Sequence, residues 1–587
     1  MKTQPTSHGI SIRVLPPIAV TELRWLAGAV IVLLLVAQVP PTVERLLGPP
    51  NRVHIGTYMY VQDFSYYLSA MREGAASSSW LIHNPFTAEQ HSAAFMYPLY
   101  VGVGKLAAAT NVPPLSVYNV LETLGRVILP TSLYVFIAAF VPGVRLRRIA
   151  FILGMIGGGL AIWERSVEVI FNLPPLLGIK GAMEYITFTT MLLSPHLTLG
   201  FSALLLSIVF FAAAARGSRT ALGLLFVSVA AISLLNSFSL PVTLATFGGY
   251  FVLRSVQERK LHTSSFLACL VAGVASAPFL VYNLAVFARD PFWAAVYLGL
   301  RVLSEPRPWD LPVDFGVVFL LAVVAVVAEL RARRRDRATL GKEPAQGQAR
   351  TEWERPFADR GLLLTWLLTI IVFSHAPVPY QNRFLLGLQP GLSVFAAYGL
   401  LIACEAAAAA LQRHGLLESR ARAMGHRLVS YPILILAAGT FLVVFASVNI
   451  AVATDAPSAQ YRVDRDTYAL AQWLAANTGR DDVILAAPGT SNVLAGMITG
   501  RVVAGHPVAI NYDQKVITIG SLYRGEMSES EARSFLKANR TSYLVTGTEE
   551  RVVGGSDPGV QLHLPVVMKI GQAIAYAIPR TELDRLR

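Results

Sequence analysis

The sequence predicts a polytopic α-helical membrane protein with a small α/β domain at its C-terminal end. Of its 587 residues, 54% are hydrophobic and only 14% are charged, whereas soluble domains carry about 25% charged residues. Apolar runs of helical length recur along the chain, and about 20 helical residues cross the hydrocarbon core of a bilayer. After about residue 453 the residue pattern of the sequence changes, because short β-rich runs begin to alternate with helical ones.

The apolar runs predict about 11 to 13 membrane crossings. The apolar run after the first 24 residues lacks a small-residue cleavage pattern, so we expect a retained first span. Basic loops at 331–360 and 412–427 indicate the cytoplasmic side, which places the residues after about 453 on the outer side. The candidate spans lie at 25–41, 95–110, 115–140, 149–163, 196–215, 220–235, 239–257, 264–288, 315–330, 361–375, 384–410 and 431–452.

Two domains are predicted, a transmembrane domain over 1–452 and an extracytoplasmic α/β domain over 453–587. The first outer loop, 42–94, is long enough to be structured, and its part 58–73 has helical spacing of apolar side chains. This spacing is typical of a helix lying on the membrane surface with its aromatic rings at the headgroup level. In the C-terminal domain we expect helices near Asp466 and Ser528 and strands at 482–486, 501–505, 542–546 and within 563–578.

The net charge of +13 does not indicate a nucleic-acid partner. Much of it lies in short loops such as 331–335, where the positive-inside rule expects it. The two cysteines, Cys269 and Cys404, lie within apolar segments. We interpret them as small core residues and not as a disulfide or a metal cluster.

A lone acid, Asp63, is the first candidate site residue. It lies in the segment Gln62-Asp63-Phe64-Ser65, between the first two predicted spans. Charges beside membrane spans are costly, so a functional role is the default hypothesis for each of them. A carboxylate here suits a general base that deprotonates a hydroxyl. The alternative is that Asp63 caps the predicted surface helix or bonds to the loop.

Arg383 and His196 are the next candidates, because each lies where a predicted span begins on the outer side. Arg383 follows His375, Gln381 and Asn382 in a short turn, and its planar guanidinium suits a phosphate. Its alternative role is snorkelling to the interface. His196 follows Pro195, within reach of Glu184; it binds a metal, a phosphate or a sugar, or makes only a structural hydrogen bond.

Two further groups of residues are weaker candidates. His83, Glu89 and His91 share one loop and have ligand-type side chains, but their spacing fits no specific metal signature. In the C-terminal domain, Gly505-His506-Pro507 and Gly489-Thr490-Ser491-Asn492 each follow a predicted strand, where sites often lie. Neither is a phosphate-loop or dinucleotide fingerprint, so we expect an accessory role for this domain.

Together these residues resemble the GT-C superfamily of integral membrane glycosyltransferases. Within it, the similarity is to the branch of protein O-mannosyltransferases and lipid A aminoarabinose transferases. The features that carry the resemblance are Asp63 in the first outer loop, His196, Arg383 before Gly387-Leu388-Gln389-Pro390, and Met96-Tyr97-Pro98-Leu99-Tyr100 entering the second predicted span. The tail segments 491–496 and 498–501 are similar to outer α/β domains appended to other members.

The resemblance implies an inverting glycosyltransferase of a bacterial plasma membrane, with its site on the outer face. The donor would be a polyprenyl-phosphate-linked sugar, and the acceptor a hydroxyl of a glycan, lipid or protein. Asp63 would be the base, and Arg383 with His196 would bind the donor phosphate, assisted if required by a divalent metal ion. The expected substrate contacts are Glu184, His375, Gln381 and Asn382.

Two other classes of function stay open on the sequence. A transporter or flippase of a lipid-linked saccharide would use the same charges for binding without chemistry. A non-catalytic assembly protein for envelope polysaccharide would not need Asp63, His196 and Arg383 to converge.

Overall fold

The computed structural model describes residues 13–58, 60–159, 186–299, 310–338, 356–378, 380–454 and 462–579, and these residues are mostly helical. A helix overlaps each of the twelve predicted spans within the described residues. In chain order they are Val20–Ala37, Pro98–Thr110, Pro114–Phe140, Val144–Ile156, Pro195–Ala215, Arg219–Leu235, Leu240–Glu258, Thr263–Arg289, Asp310–Ala338, Arg360–Ser374, Leu388–Arg413 and Glu418–Thr454.

Six helical segments of the described chain are long and apolar enough to cross a membrane: Val20–Leu47, Pro114–Phe140, Pro195–Ala215, Thr263–Arg289, Asp310–Arg331 and Gln381–Arg413. The predicted class, a polytopic helical membrane protein, is therefore confirmed. Pro98–Thr110 and Val144–Ile156 have only 13 residues each, about 20 Å of helix against a core of about 30 Å. The number of crossings accordingly stays a prediction.

The chain divides into two compact units. The first unit comprises Met1–Ala37, Leu124–Leu280 and Leu303–Ala446, and the second comprises Gln38–Thr123, Val281–Val302 and Ser447–Arg587. The first outer loop, which the sequence analysis grouped with the transmembrane domain, thus lies in the same unit as the C-terminal residues. Its apolar side chains are buried together with those of the C-terminal domain.

A buried ion pair lies in the first unit. Arg147 Nη1 donates to Glu22 Oε2 at 3.0 Å, and the Tyr134 hydroxyl donates to the same oxygen at 2.7 Å. Arg147 Nε also donates to the Val141 carbonyl oxygen at 2.7 Å. The two charged side chains are only 5% and 3% exposed, so each depends on the other for compensation of its charge.

The second unit contains the predicted α/β domain. Its five strands are β3 (Val483–Leu485), β4 (Arg501–Val502), β5 (Tyr543–Thr546), β6 (Val566–Ile570) and β7 (Ala573–Ala577), in the order β4-β3-β5-β7-β6. β3 pairs in parallel with β4 and β5, whereas β7 runs antiparallel to β5 and β6. Its helices are Arg465–Asn477, Pro488–Met497, Tyr512–Tyr523, Glu529–Ala538, Thr548–Val553 and Pro558–Gln561.

A second, two-stranded sheet joins the first loop to the C-terminal residues. It pairs β1 (Arg52–His54) with β2 (Arg462–Asp464) in antiparallel register. The Arg462 guanidinium, which is fully buried, donates to Glu44 and to the Val452 carbonyl oxygen. The first outer loop is therefore fixed to the C-terminal residues by backbone pairing and by the ion pair between Arg462 and Glu44.

The helix that carries Asp63, Val61–Ala76, corrects one expectation. Phe64, Tyr67 and Met71, predicted to face lipid headgroups, are each no more than 3% exposed and belong to a protein core. Ser65 and Ser69 are buried as well. Helical spacing of apolar residues identifies a buried face but does not distinguish burial in protein from burial in lipid, which is why the expectation was wrong.

Two glycines allow the helices Val61–Ala76 and Pro98–Thr110 to approach closely. A Cβ on Gly74 would lie 2.3 Å from the Val101 carbonyl oxygen, and one on Gly104 would lie 1.9 Å from the Met71 carbonyl oxygen. Neither oxygen belongs to a flexible side chain, so a methyl group at either position forces the backbones apart. The position of the Asp63 helix thus depends on these two glycines.

We expect Gly104→Ala to destabilise the protein by about 1–3 kcal/mol, the usual cost of overpacking. Gly102→Ala on the same helix is the matched control, because its Cβ would meet only the Trp80 ring at 3.6 Å. Alanine in a helix is favoured over glycine by roughly 0.5–1 kcal/mol, so this control should unfold at an equal or higher temperature. Thermal unfolding in detergent measures both, and equal behaviour of the two variants would contradict the prediction.

Candidate functional site

The structure places Asp63 next to a histidine of the C-terminal domain, within the second unit. Asp63 lies in the first turn of the helix Val61–Ala76, and its Oδ1 is 2.8 Å from His506 Nε2. The His506 side chain is largely buried, against the Phe86 ring, whereas that of Asp63 is 33% exposed. The carboxylate is therefore held by a buried partner and still accessible from outside.

The hydrogen bond to the second ring nitrogen of His506 indicates which of the two nitrogens carries the proton. Its Nδ1 accepts a hydrogen bond from the Val508 backbone N–H at 3.1 Å, so this nitrogen bears no proton. The proton of the neutral ring is then on Nε2, and it is donated to Asp63. His506 accordingly cannot act as a base toward Asp63; it orients the carboxylate and stabilises its ionised form.

An asparagine holds the two segments of this pair together. Ser65, two residues after Asp63 on the same helix, donates through its Oγ to Asn492 Oδ1 at 2.8 Å. Asn492 Nδ2 donates to the carbonyl oxygens of Gln62 and Gly505, at 3.0 and 3.1 Å. Asn492 thus bonds the residues that immediately precede both Asp63 and His506. Both strand-following loops singled out in the sequence take part in the site.

Arg383 lies in the first unit, in the 3-10 helix Gln381–Leu385. Its guanidinium carbon lies 4.9 Å from the centre of the Phe238 ring, a cation–π contact. Phe238 belongs to the short 3-10 helix Ser237–Ser239, which follows Asn236. The predicted turn at the start of a span is present, and stacking on the ring holds the guanidinium in place.

His196 lies on a helix of the first unit that packs near the turn containing Phe238. It is the second residue of the helix Pro195–Ala215, and Gly200 lies one turn further along that helix. A Cβ on Gly200 would be 2.8 Å from the Cβ of Asn236. The helix that carries His196 therefore contacts the residue before the turn of Phe238, one helical turn beyond His196.

The other residues predicted to contact substrate differ from one another in burial. Gln381 and Asn382 are buried beside Arg383. His375 is at the exposed end of the helix Arg360–Ser374, where its Nδ1 is 2.9 Å from the Ile371 carbonyl oxygen. Glu184 lies outside the described residues. Gln389, from the motif quoted in the sequence, is fully buried and bonds Thr187 and the carbonyl oxygen of Gly157, which is a structural role.

The weak metal candidates are occupied by other contacts. His91 Nε2 accepts from the Asn84 N–H at 2.8 Å, and its Nδ1 lies 2.9 Å from the Glu89 carbonyl oxygen. Burial alone would raise the pKa of Glu89, but the hydrogen bonds from Lys515 and Thr87 outweigh it and lower that pKa. Within the described ranges no three His, Cys, Asp or Glu side chains form a group that could hold a metal ion.

Several solved structures resemble this one, including the following three. An oligosaccharyltransferase from Archaeoglobus fulgidus, in the apo form, superposes with a TM-score of 0.51 at 13% identity, over 94% of this chain and 74% of that one. The chain has a GT-C-type fold. ArnT from Cupriavidus metallidurans, bound to undecaprenyl phosphate, gives a TM-score of 0.47 at 13% identity, over 95% and 98% of the two chains. A variant of the arabinofuranosyltransferase AftD from Mycobacteria gives 0.47 at 16% identity, over 96% of this chain and 42% of that one.

No protein-family model matches the sequence, and no curated protein is significantly similar to it. At 13% identity the first structural match establishes the GT-C fold alone. The chemistry has to be argued from the side chains, above all from Asp63 and His506.

Proposed function

We propose that the protein is an inverting glycosyltransferase that moves a sugar from a polyprenyl-phosphate donor to an acceptor hydroxyl. The observation that carries the proposal is the accessible Asp63 carboxylate, oriented by the neutral His506 ring at 2.8 Å. The GT-C fold supports the reaction class, and the sequence resemblance supports the donor class. The reaction is placed on the outer face of a bacterial plasma membrane, where the charge pattern of the loops puts Asp63 and the C-terminal domain.

In the proposed reaction Asp63 accepts the proton of the acceptor hydroxyl while that oxygen attacks the anomeric carbon. The bond between this carbon and the donor phosphate oxygen breaks, and the phosphate leaves with the electron pair. A single displacement of this kind inverts the anomeric carbon. Because polyprenyl phosphate is a good leaving group, the reaction requires no general acid; it requires a base and stabilisation of the phosphate charge.

Arg383 and His196 are proposed to stabilise the departing phosphate. A guanidinium forms two parallel hydrogen bonds to a phosphate, and stacking on Phe238 holds it in place before the donor arrives. Gln381 and Asn382 are proposed to support the turn that presents Arg383. We assign no step of the reaction to a metal ion.

The test is a turnover assay on purified protein in detergent, with polyprenyl-phosphate sugars as donors and a cell extract as the source of acceptors. We expect release of polyprenyl phosphate together with a glycosylated acceptor. In detergent there is no second compartment, so a flippase would leave the donor intact. Folded protein that consumes no donor of the panel would overturn the proposal and favour transport.

A second prediction concerns His506 as a positioning residue. His506→Phe removes the hydrogen bond to the carboxylate, and such bonds to charged groups are worth about 1.5–3 kcal/mol. We expect kcat to fall by roughly 10- to 100-fold, with little change in KM. His506→Gln retains an N–H donor in a side chain of similar reach, so it should recover much of the loss. If both variants lose activity equally and also melt earlier, the role of His506 is only structural.

A further inference from the structure

A cavity lined by several charged side chains lies in the second unit, away from Asp63. It has a volume of about 710 Å³, and Arg72, Arg289, Arg480 and Arg501 contribute to its lining. Arg72 lies nine residues after Asp63 on the same helix, roughly 14 Å along the axis at 1.5 Å per residue. The cavity is therefore separate from the carboxylate proposed to act as the base.

None of these four arginines forms an ion pair within 4 Å of a carboxylate of the described chain. Arg72 donates to the Gly496 carbonyl oxygen at 2.9 Å and to Ser69 Oγ at 3.0 Å. Arg501 donates to the carbonyl oxygens of Ala88 and Glu89. Burial lowers the pKa of Arg72 to about 10, an effect that the neighbouring Glu73 only partly offsets. Their guanidinium groups donate to neutral oxygens, and nearby carboxylates, Glu73 for Arg72 and Asp481 and Glu89 for Arg501, offset their positive charges only in part.

Arg289 and Arg480 differ from the other two, because both are exposed. Neither side chain makes a hydrogen bond or an ion pair with any residue in the described ranges. They come from distant parts of the chain, Arg289 from the end of the helix Thr263–Arg289 and Arg480 from the segment before β3. Within the described ranges, the cavity thus has two guanidiniums without a hydrogen-bond or ion-pair partner beside two partly buried guanidiniums that are hydrogen-bonded.

Three carboxylates also contribute to the lining, those of Glu73, Asp290 and Asp481. Asp290 is already used, since its two oxygens accept from the backbone N–H groups of Ser92 and Phe292 at 2.9 and 3.0 Å. Glu73 is 3.9 Å from His83. These acids reduce the positive field but do not neutralise the arginines by direct contact.

We infer that this cavity binds a phosphate-type oxyanion. Several guanidiniums converging on one cavity provide the planar donors that hold phosphate oxygens in pairs. Arg289 and Arg480 supply the direct hydrogen bonds, and Arg72 and Arg501 supply fixed positive charge behind them. The phosphate is either free in solution or carried by a lipid, and the two sources share this chemistry. The inference does not depend on the proposed reaction.

Equilibrium dialysis of the full-length protein in detergent against radiolabelled inorganic phosphate tests the site. We expect saturable binding in the wild type and at least about tenfold weaker binding in Arg289→Gln/Arg480→Gln, which corresponds to about 1.4 kcal/mol. Because neither side chain bonds to any residue that the structure describes, the double variant should keep the wild-type melting temperature. Arg465→Gln is the matched control, an exposed arginine that lines a different cavity of the same unit.

Each outcome of the dialysis either overturns the inference or identifies the source of the phosphate. Unchanged affinity in the double variant, an equal loss in Arg465→Gln, or no saturable binding in the wild type would each overturn the inference. Displacement of the bound phosphate by polyprenyl phosphate supports it with a lipid as the source. Binding that polyprenyl phosphate does not displace supports it with a soluble source. Donor turnover plays no part in this measurement, so a failure of the proposed reaction would not affect the result.

Discussion

Asp63→Asn is expected to lower turnover by roughly 10²- to 10⁴-fold, the usual contribution of a positioned general base. The amide has nearly the same shape as the carboxylate, and its oxygen still accepts the hydrogen bond from His506 Nε2. The fold should therefore be retained while the proton acceptor is lost. The measurement is the rate of polyprenyl phosphate release, with thermal unfolding to confirm that the variant is folded.

Asp513→Asn provides the control for this experiment. Asp513, like Asp63, is an acid in the first turn of a helix. If Asp63 served only to complement the helix dipole, the two substitutions would have similar small effects of about 0.3–1 kcal/mol on stability. Near-wild-type turnover in Asp63→Asn would exclude its role as the base.

Arg147→Met is expected to produce the largest loss of stability. It leaves Glu22 buried and without its cationic partner, and breaking a buried pair in this way costs about 3–5 kcal/mol. Thermal unfolding in detergent measures the effect. The double variant Glu22→Gln/Arg147→Met should be more stable than Arg147→Met alone, because it removes the uncompensated charge as well.

Arg422→Met is the matched control for the buried pair. Arg422 and Glu418 are joined at 2.6 Å, but their side chains are 69% and 67% exposed. Solvent and salt screen such a pair, so its loss should cost less than about 1 kcal/mol. A similar loss in Arg147→Met and Arg422→Met would contradict the assignment of Arg147 as a buried structural charge.

Sequence patterns predicted the elements of the fold well, because the signals for them are local. Each apolar run of helical length became a helix. The helix expected near Ser528 begins there, with Ser528 and Glu531 bonding each other's backbone N–H groups. The strands expected at 482–486, 501–505 and 542–546 are β3, β4 and β5. Periodicity and caps depend on residues a few positions apart, and a single sequence displays them directly.

The site was only partly predictable, because its contacts are not local. The position of Asp63 indicated a functional acid, and Gly505-His506-Pro507 was noted as a loop after a strand. Nothing in a single sequence connects Asp63 with His506 across 443 positions. The arginines of the cavity proposed to bind phosphate were missed for the same reason. Arg72, Arg289, Arg480 and Arg501 are isolated cations in the sequence, and only folding brings them to one cavity.

The strand pair β1–β2 and the Asp63–His506 contact both join an early part of the chain to a late one. Translation runs at about 5–20 residues per second, so Asp63 leaves the ribosome roughly 20–90 s before its partner does. During that time the apolar residues of the Asp63 helix lack half of their core and are open to aggregation or to chaperones. A nascent chain therefore cannot assemble this site early, and it is completed only after all the membrane helices have been made.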